Sequence, residues 1–426
     1  MIKLINKFRK SKLAVDSAIA TIGRIAIAIL NFLCTLMISR SLTSAERGEY
    51  AILIASIFFF STILNFGLPY SNMYYAIKHR DLKNYIYGNS ILTLLVSGLL
   101  LFTLLLIWKI FFPFFIPQIP NNFIYLMLII FFLLMNQNIR GFVIAHGGLL
   151  ITAYFDFTFK LISLLVIFYL YQNHSLTLSI ALWILTIEML TGWLFHYAIL
   201  SKHQYKFQLR WATFKETFRF STGSYLLLII SIVLVKSDLF FVKHFLGLKE
   251  TGIYGIMTSM IDNVTILSQV AAGLSFLKLT EMNERSEIVR KSNLSVLAII
   301  GIISAAAAVL FPFAEDILYI FIKEDAALGV QSFRILLIAS VFLSIYYFVS
   351  INILSLNKGY LWILGLLPFL GLNFTVNYFF IPIYGINFAA YSSLGTYFLV
   401  AVYCIAVMNR SVVIKGVKNF IPSKSN

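Results

Sequence analysis

Twelve apolar runs, each about as long as a bilayer crossing and separated by short polar connections, constrain this chain more than any other feature. A helix needs about 20 mostly apolar residues to cross a hydrocarbon core ~30 Å thick. Such runs occupy roughly 13–39, 48–69, 86–112, 122–145, 150–172, 176–200, 220–246, 252–276, 293–322, 330–357, 360–382 and 385–409. They are long and continuous, not ten-residue alternations, which excludes a transmembrane β-barrel. The sequence is 60% hydrophobic and 12% charged, with a mean hydropathy of +0.89. No soluble domain of this size covers that much apolar surface, so lipid is the solvent for most of it. The expected class is an all-α integral membrane protein with about 12 transmembrane helices.

Orientation follows from the basic residues. Of the 33 Lys and Arg, 22 fall in one set of alternate connections and 6 in the other, the rest lying within spans. The richer set includes both ends of the chain, which predicts that both termini are cytoplasmic. Met1 to Lys12 has no cleavable-looking signal and reads as a basic cytoplasmic tail. Connections are short, so no appended soluble domain is expected to hold an active site. Cys34 and Cys404 both sit inside spans, which argues against a disulfide framework.

One short pattern occurs twice. Leu42, Glu46, Gly48 and Tyr50 recur as Leu246, Glu250, Gly252 and Tyr254, each 204 residues later in a chain of 426. A repeat at nearly half-length predicts two pseudo-symmetric six-helix lobes, residues 1–200 and 220–426. Between them, 201–219 is a basic cytoplasmic linker carrying Lys202, Lys206, Arg210, Lys215 and Arg219, read as a solvated positive-inside loop or a surface helix on anionic headgroups.

Ionisable residues inside spans are costly, so each is a functional-site hypothesis. The basic ones are Arg24, Arg140, Lys160, Lys236 and Arg334; the acidic ones are Asp156, Glu188, Asp238 and Asp262. Asp156 and Lys160 stand four apart in the acid-first order that favours a pair within one helix. Glu188 has two charge partners within reach, Arg140 or Lys160, or else takes up a proton. Arg24 shares a face with Asn31, and Arg334 with Asn352, five turns along the same helix. Thr258, Asp262, Thr265 and Gln269 form a polar stripe at helical spacing, expected to line a cavity. Asn136, Gln137, Asn138 and Arg140 are too dense a cluster to face lipid. The six His are scattered, with no pair at metal-ligand spacing; His196 and His203 straddle the end of a span, where headgroup contact is the simplest reading.

Certain stretches also resemble a known family. Ser39 to Leu53, S-R-S-L-T-S-A-E-R-G-E-Y-A-I-L, resembles the first turn of the polysaccharide-transport flippases, the O-antigen repeat-unit flippases among them, of the multidrug/oligosaccharidyl-lipid/polysaccharide exporter superfamily. Lys236 to Tyr254, Phe311 to Phe321 and Ile381 to Leu394 are similar to later helices of that family, in the right order. The resemblance implies two six-helix lobes around a central cavity that opens alternately to each side. It implies a transporter, not an enzyme, in the bacterial cytoplasmic membrane. The implied substrate is a polyprenyl pyrophosphate carrying a sugar repeat unit, moved to the outer leaflet.

On that basis Arg24, Arg140, Lys236, Arg334, Asn31 and Asn352 are candidates for pyrophosphate and sugar binding. Glu188, Asp238, Thr258, Asp262, Thr265 and Gln269 are candidates for lining the cavity or coupling to an ion. No cofactor or metal is expected; a proton or sodium gradient is the expected energy source. Expected partners are the bilayer, the lipid-linked oligosaccharide, a polysaccharide polymerase and a chain-length regulator, and no nucleic acid. Two other readings compete. A drug or cation antiporter of the same fold calls for uncompensated acids in the cavity, and a membrane polymerase calls for a large charged outer loop.

Overall fold

The computed structural model describes residues 2–111, 122–280, 282, 284–355 and 361–420. The connection after the third span, 112–121, lies outside the described residues. The described chain is helical apart from turns and short connections, with no strand among the described residues. The helices are α1 (Ile2–Ser41), α2 (Ser44–Leu64), α3 (Leu68–Lys78), α4 (Lys83–Phe111), α5 (Asn122–Ala145), α6 (Leu149–Gln172) and α7 (Leu178–Ser201). They continue as α8 (Trp211–Leu246), α9 (Leu248–Thr280), α10 (Arg285–Leu310), α11 (Ala314–Ile322), α12 (Ala326–Ser355), α13 (Leu361–Leu364) and α14 (Leu367–Phe420).

Ten helical stretches are long and apolar enough to span a membrane, among the described residues. One of them, Leu361–Arg410, contains 50 residues, about 75 Å of helix at 1.5 Å per residue and long enough for two crossings. It is interrupted at Gly385, whose φ of 68° and ψ of −157° are not helical. That break stands where the eleventh and twelfth runs were expected to separate. The polar α9 is not among the ten and fills the place of the eighth run.

Three boundaries differ from the sequence reading. The eighth helix starts at Trp211, so the second half of the 201–219 connection is its first turns. The ninth run is broken at Phe311–Phe313, beside Pro312, where Pro cannot donate to the helix ladder. A short α3, begun by Pro69 in the first turn, adds a helix between the second and third runs.

Contacts divide the chain into two compact units, Met1–Ile256 and Met257–Asn426. In the first, α5 is the hub, packing against α2, α3, α4, α6 and α7. Leu53, Phe60, Leu101, Leu105 and Ile130 of its neighbours and of α5 itself fill the core. In the second, α12 is the hub, packing against α10, α11 and α14. Its Ser332, Ser340, Ser344 and Ser350 are all buried, small side chains that let helices approach closely. Large apolar residues such as Leu99, Leu165 and Leu297 are exposed on the outside, as expected where lipid is the solvent.

Candidate anion-binding pocket and its charge ladder

The dense polar cluster on α5 distributes its side chains to four different helices. Successive residues turn by about 100°, so neighbours in sequence face different partners. Asn136 Oδ1 lies 2.8 Å from His196 Nδ1 on α7. Gln137 accepts a hydrogen bond from Asn65 at the end of α2 (3.4 Å), and Asn138 accepts one from Asn72 on α3 (3.4 Å). Arg140, one turn after Asn136, donates to Asp156 of α6 at 2.6 Å. The cluster is how α5 holds its neighbours where lipid offers no hydrogen bonds.

Asp156 therefore does not pair with Lys160 within α6. The two turn to opposite neighbours: Asp156 back to Arg140 on α5, Lys160 forward to Glu188 on α7, with Nζ 2.8 Å from Oε2. The Ser163 hydroxyl approaches the same Glu188 oxygen at 3.5 Å. An interhelical partner neutralises each charge and also ties two helices together, which an i,i+4 pair on one helix does not. The two bridges differ in access. Lys160 and Glu188 are 13% and 17% exposed, Arg140 and Asp156 32% and 23%.

The more accessible bridge borders a pocket. Ala20, Gly23, Arg24 and Ile27 of α1 form one wall; Leu149, Ala153 and Asp156 of α6 form another, and Arg140 closes it from α5. On α1 and on α6 the lining residues follow a spacing of three to four, so one face of each helix is turned inward. The small side chains make the space: a Cβ added to Gly23 meets no atom within 4 Å. Arg24 is exposed and bonded to no carboxylate among the described residues, though its charge acts on Asp156 through space. The pocket thus holds two guanidinium groups against one carboxylate. Asn31, two turns along α1, is half-buried, and its backbone carbonyl accepts from Thr35.

The other candidates stand apart. Lys236 is half-buried on α8, while Asp238 is 1% exposed, its Oδ2 receiving the Tyr254 hydroxyl at 2.6 Å and its Oδ1 the Leu239 N–H at 2.8 Å. In the second unit, the Arg334 guanidinium sits 5.4 Å from the Phe311 ring centre, and Asn352 donates to Ser292 of α10 at 3.1 Å. Both thus turn toward α10 and the turn after it, in keeping with their shared face. The α9 stripe is split by burial. Thr258 and Asp262 are half-buried and Gln269 is exposed, but Thr265 is wholly buried and donates to the Asp262 carbonyl at 3.1 Å.

Three arrangements in the first unit were not foreseen from the sequence. His196 is fully buried against Asn136, not at the headgroups, and the His203 ring lies 4.1 Å from that of His146. Arg47, read as a loop residue, is buried and reaches back to the Ser39 carbonyl and the Ser44 hydroxyl, fixing the turn between α1 and α2. Among the described residues no group of three or more His, Cys, Asp or Glu is placed to hold a metal ion.

Comparison with known proteins adds a family and a fold. The family model described as polysaccharide biosynthesis protein matches residues 13–273. No protein of curated function matches the sequence. Among solved structures, the lipid II flippase MurJ in an inward closed conformation superposes with a TM-score of 0.73 at 13% identity, covering 96% of this chain and 93% of that one. An inward-facing multidrug resistance MATE family transporter of the MOP superfamily gives 0.66 at 12% identity, covering 95% and 100%. The eukaryotic MATE transporter AtDTX14 gives 0.67 at 11% identity, covering 95% of each chain. The fold is that of the MOP superfamily transporters, a multi-pass helical membrane protein.

Proposed function

Because the chain belongs to the polysaccharide biosynthesis protein family, we propose that it flips polyprenyl-pyrophosphate-linked oligosaccharide repeat units, of O-antigen or a similar surface polysaccharide, from the cytoplasmic to the outer leaflet by alternating access. The observation that carries this reading is the pocket in which two arginines share one carboxylate, Asp156, which is bonded to Arg140 and acts on Arg24 only through space. A pyrophosphate and a hydrated sugar cannot cross ~30 Å of hydrocarbon unaided. Guanidinium groups hold phosphate through paired donors, and an arginine not bonded to a carboxylate has those donors open. With both termini cytoplasmic in a bacterial inner membrane, the pocket meets the headgroup where the repeat unit is made, while the polyprenyl tail stays in lipid. Lys236 is a further phosphate contact in this reading, and a proton or sodium gradient drives the cycle. A polymerase and a chain-length regulator act on the product.

The test is export in cells. Arg24→Ala and Lys236→Ala each lower surface polymer and accumulate the lipid-linked repeat unit while folded protein persists in the membrane. Normal polymer in both variants refutes the assigned roles. A cation antiporter is the second reading, favoured by the MATE-like fold. A positively charged pocket repels its substrate, and a cationic-dye efflux assay separates the two.

A further inference from the structure

We infer that Asp156 is a tethered anion that competes with the substrate's pyrophosphate for Arg140, and so sets how tightly the pocket holds its cargo. The inference rests on the reading of the pocket as a pyrophosphate site and assigns a residue to its regulation. Three observations carry it. Asp156 and Arg140 both line the pocket and are bonded to each other at 2.6 Å. Their bridge is open at 32% and 23% exposure, whereas the neighbouring Lys160–Glu188 bridge is more enclosed and does not line the pocket. Arg24, on the facing wall, is bonded to no carboxylate among the described residues and feels Asp156 only through space.

A guanidinium engaged by a carboxylate is neutralised, so it adds little attraction until a stronger anion displaces its partner. Pyrophosphate carries several charges and more acceptor oxygens than one carboxylate, and takes Arg140 when Asp156 turns away and the pocket, with room for about one water as it stands, widens to admit it. A neutral or cationic solute offers nothing to exchange, so the bridge stays shut to it. When the cargo must leave, Asp156 returns to Arg140 and lowers the affinity. A pocket with two free arginines lacks that step and releases slowly.

The experiment measures binding of inorganic pyrophosphate to the full-length protein, purified in detergent, by calorimetry at low ionic strength. Asp156→Asn is expected to bind about tenfold tighter than the parent, because Arg140 is released. Arg140→Gln, which removes one guanidinium and leaves Asp156 to act on Arg24 alone, binds about tenfold weaker. The double variant Arg140→Gln with Asp156→Asn replaces the bridge by a neutral pair of similar shape and returns to within about threefold of the parent. It also keeps the comparison usable if one single variant fails to fold. Glu287→Gln, the same change of charge on a surface pair with Lys291, leaves binding unchanged.

Asp156→Asn binding no tighter than the parent, or a double variant no better than Arg140→Gln, overturns the inference. Parent protein that binds no pyrophosphate sinks the pyrophosphate reading as well. Failure of the inference alone therefore looks different from failure of the proposed function.

Discussion

Gly48 and Gly252, 204 residues apart and equivalent in the internal repeat, stand where the first turns of α2 and α9 touch backbone to backbone. A Cβ on Gly48 would run into the Leu248 carbonyl; one on Gly252 would lie 2.6 Å from the Ser44 carbonyl and 2.9 Å from the Gly48 nitrogen. Leu248 is itself Ser44 plus 204, so each contact is the other read in the opposite direction, the signature of a local two-fold relation. The two turns are not identical. Thr43 caps α2 in a reciprocal box with Glu46, whereas its counterpart Gly247 adopts a φ of 95° and has no side chain to cap with. Gly48→Val is expected to pry the turns apart at a cost of about 1–3 kcal/mol, the range for overpacking. Hydrogen exchange is the check: residues 42–50 and 246–254 should exchange faster together, and unchanged protection at either turn removes the claim that they brace each other.

The two membrane bridges give a second expectation. Glu188→Gln leaves Lys160 charged and unpartnered inside a span, which costs about 3–5 kcal/mol when a buried pair is broken from one side. Replacing both, Lys160→Met with Glu188→Leu, removes the charges together and recovers most of that loss. Thermal unfolding in detergent measures it. A double variant as unstable as Glu188→Gln would show that packing, not charge, holds that seam.

Lys160 was one of the two partners the sequence offered Glu188, but Asp156 was matched to Lys160 and not to Arg140, and the reason is geometry. Arg140 and Asp156 lie eight residues either side of Gly148, and Lys160 and Glu188 fourteen either side of His174, each in the turn of an antiparallel helix pair. Equal rise on both arms brings residues equidistant from the turn level with one another. The sequence therefore holds the signal, but a search confined to i,i+4 spacing finds Asp156 and Lys160 instead. The long apolar spans and their order were legible because hydropathy acts over some twenty residues at once and averages out local detail; the short α3, α11 and α13 were not. The break at Gly385 was anticipated; the start of α8 at Trp211 was not, because a basic amphipathic turn looks like a loop when only hydropathy is read. The pocket was partly legible: Arg24 and Arg140 stood out as intramembrane charges, but not that α1 and α6 would place them around one space.

A third expectation concerns Tyr254, the last residue of the repeated pattern. Its counterpart Tyr50 packs against a cluster that contains Cys34, and Asp238 is Cys34 plus 204. The same tyrosine thus meets a thiol environment in one copy and a carboxylate in the other. Tyr254→Phe removes a 2.6 Å hydrogen bond to a buried carboxylate, a loss of about 1.5–3 kcal/mol. Tyr50→Phe is expected to cost less. Equal losses in thermal unfolding would mean that Asp238 does not depend on Tyr254.

His203, in the connection after α7, has a pH signature. Burial first, then the neighbouring His146 and Lys83, hold its imidazole below the ordinary value of 6.5. The folded chain therefore binds this proton less readily than the unfolded chain, and stability rises with pH between the depressed value and 6.5. The contribution is complete above that window and is lost as the pH falls through the folded value. Imidazole resonances followed by NMR should place His203 below an ordinary histidine, and His146→Ala should move it part of the way back. No movement would assign the depression to burial and Lys83.

Gly371 and Gly385 on α14 separate backbone strain from crowding. A Cβ at either position meets no atom within 4 Å, so neither substitution by alanine creates a clash. They differ in conformation alone. Gly371 is helical, and Gly371→Ala should stabilise by about 0.5–1 kcal/mol through the lower flexibility of the unfolded chain. Gly385, at φ 68° and ψ −157° just after Pro382, occupies a region that side chains avoid. Gly385→Ala should cost about 1–3 kcal/mol. If instead it is tolerated as well as Gly371→Ala, the chain can pass from one half of α14 to the other as a continuous helix, and the break there is not imposed by the backbone.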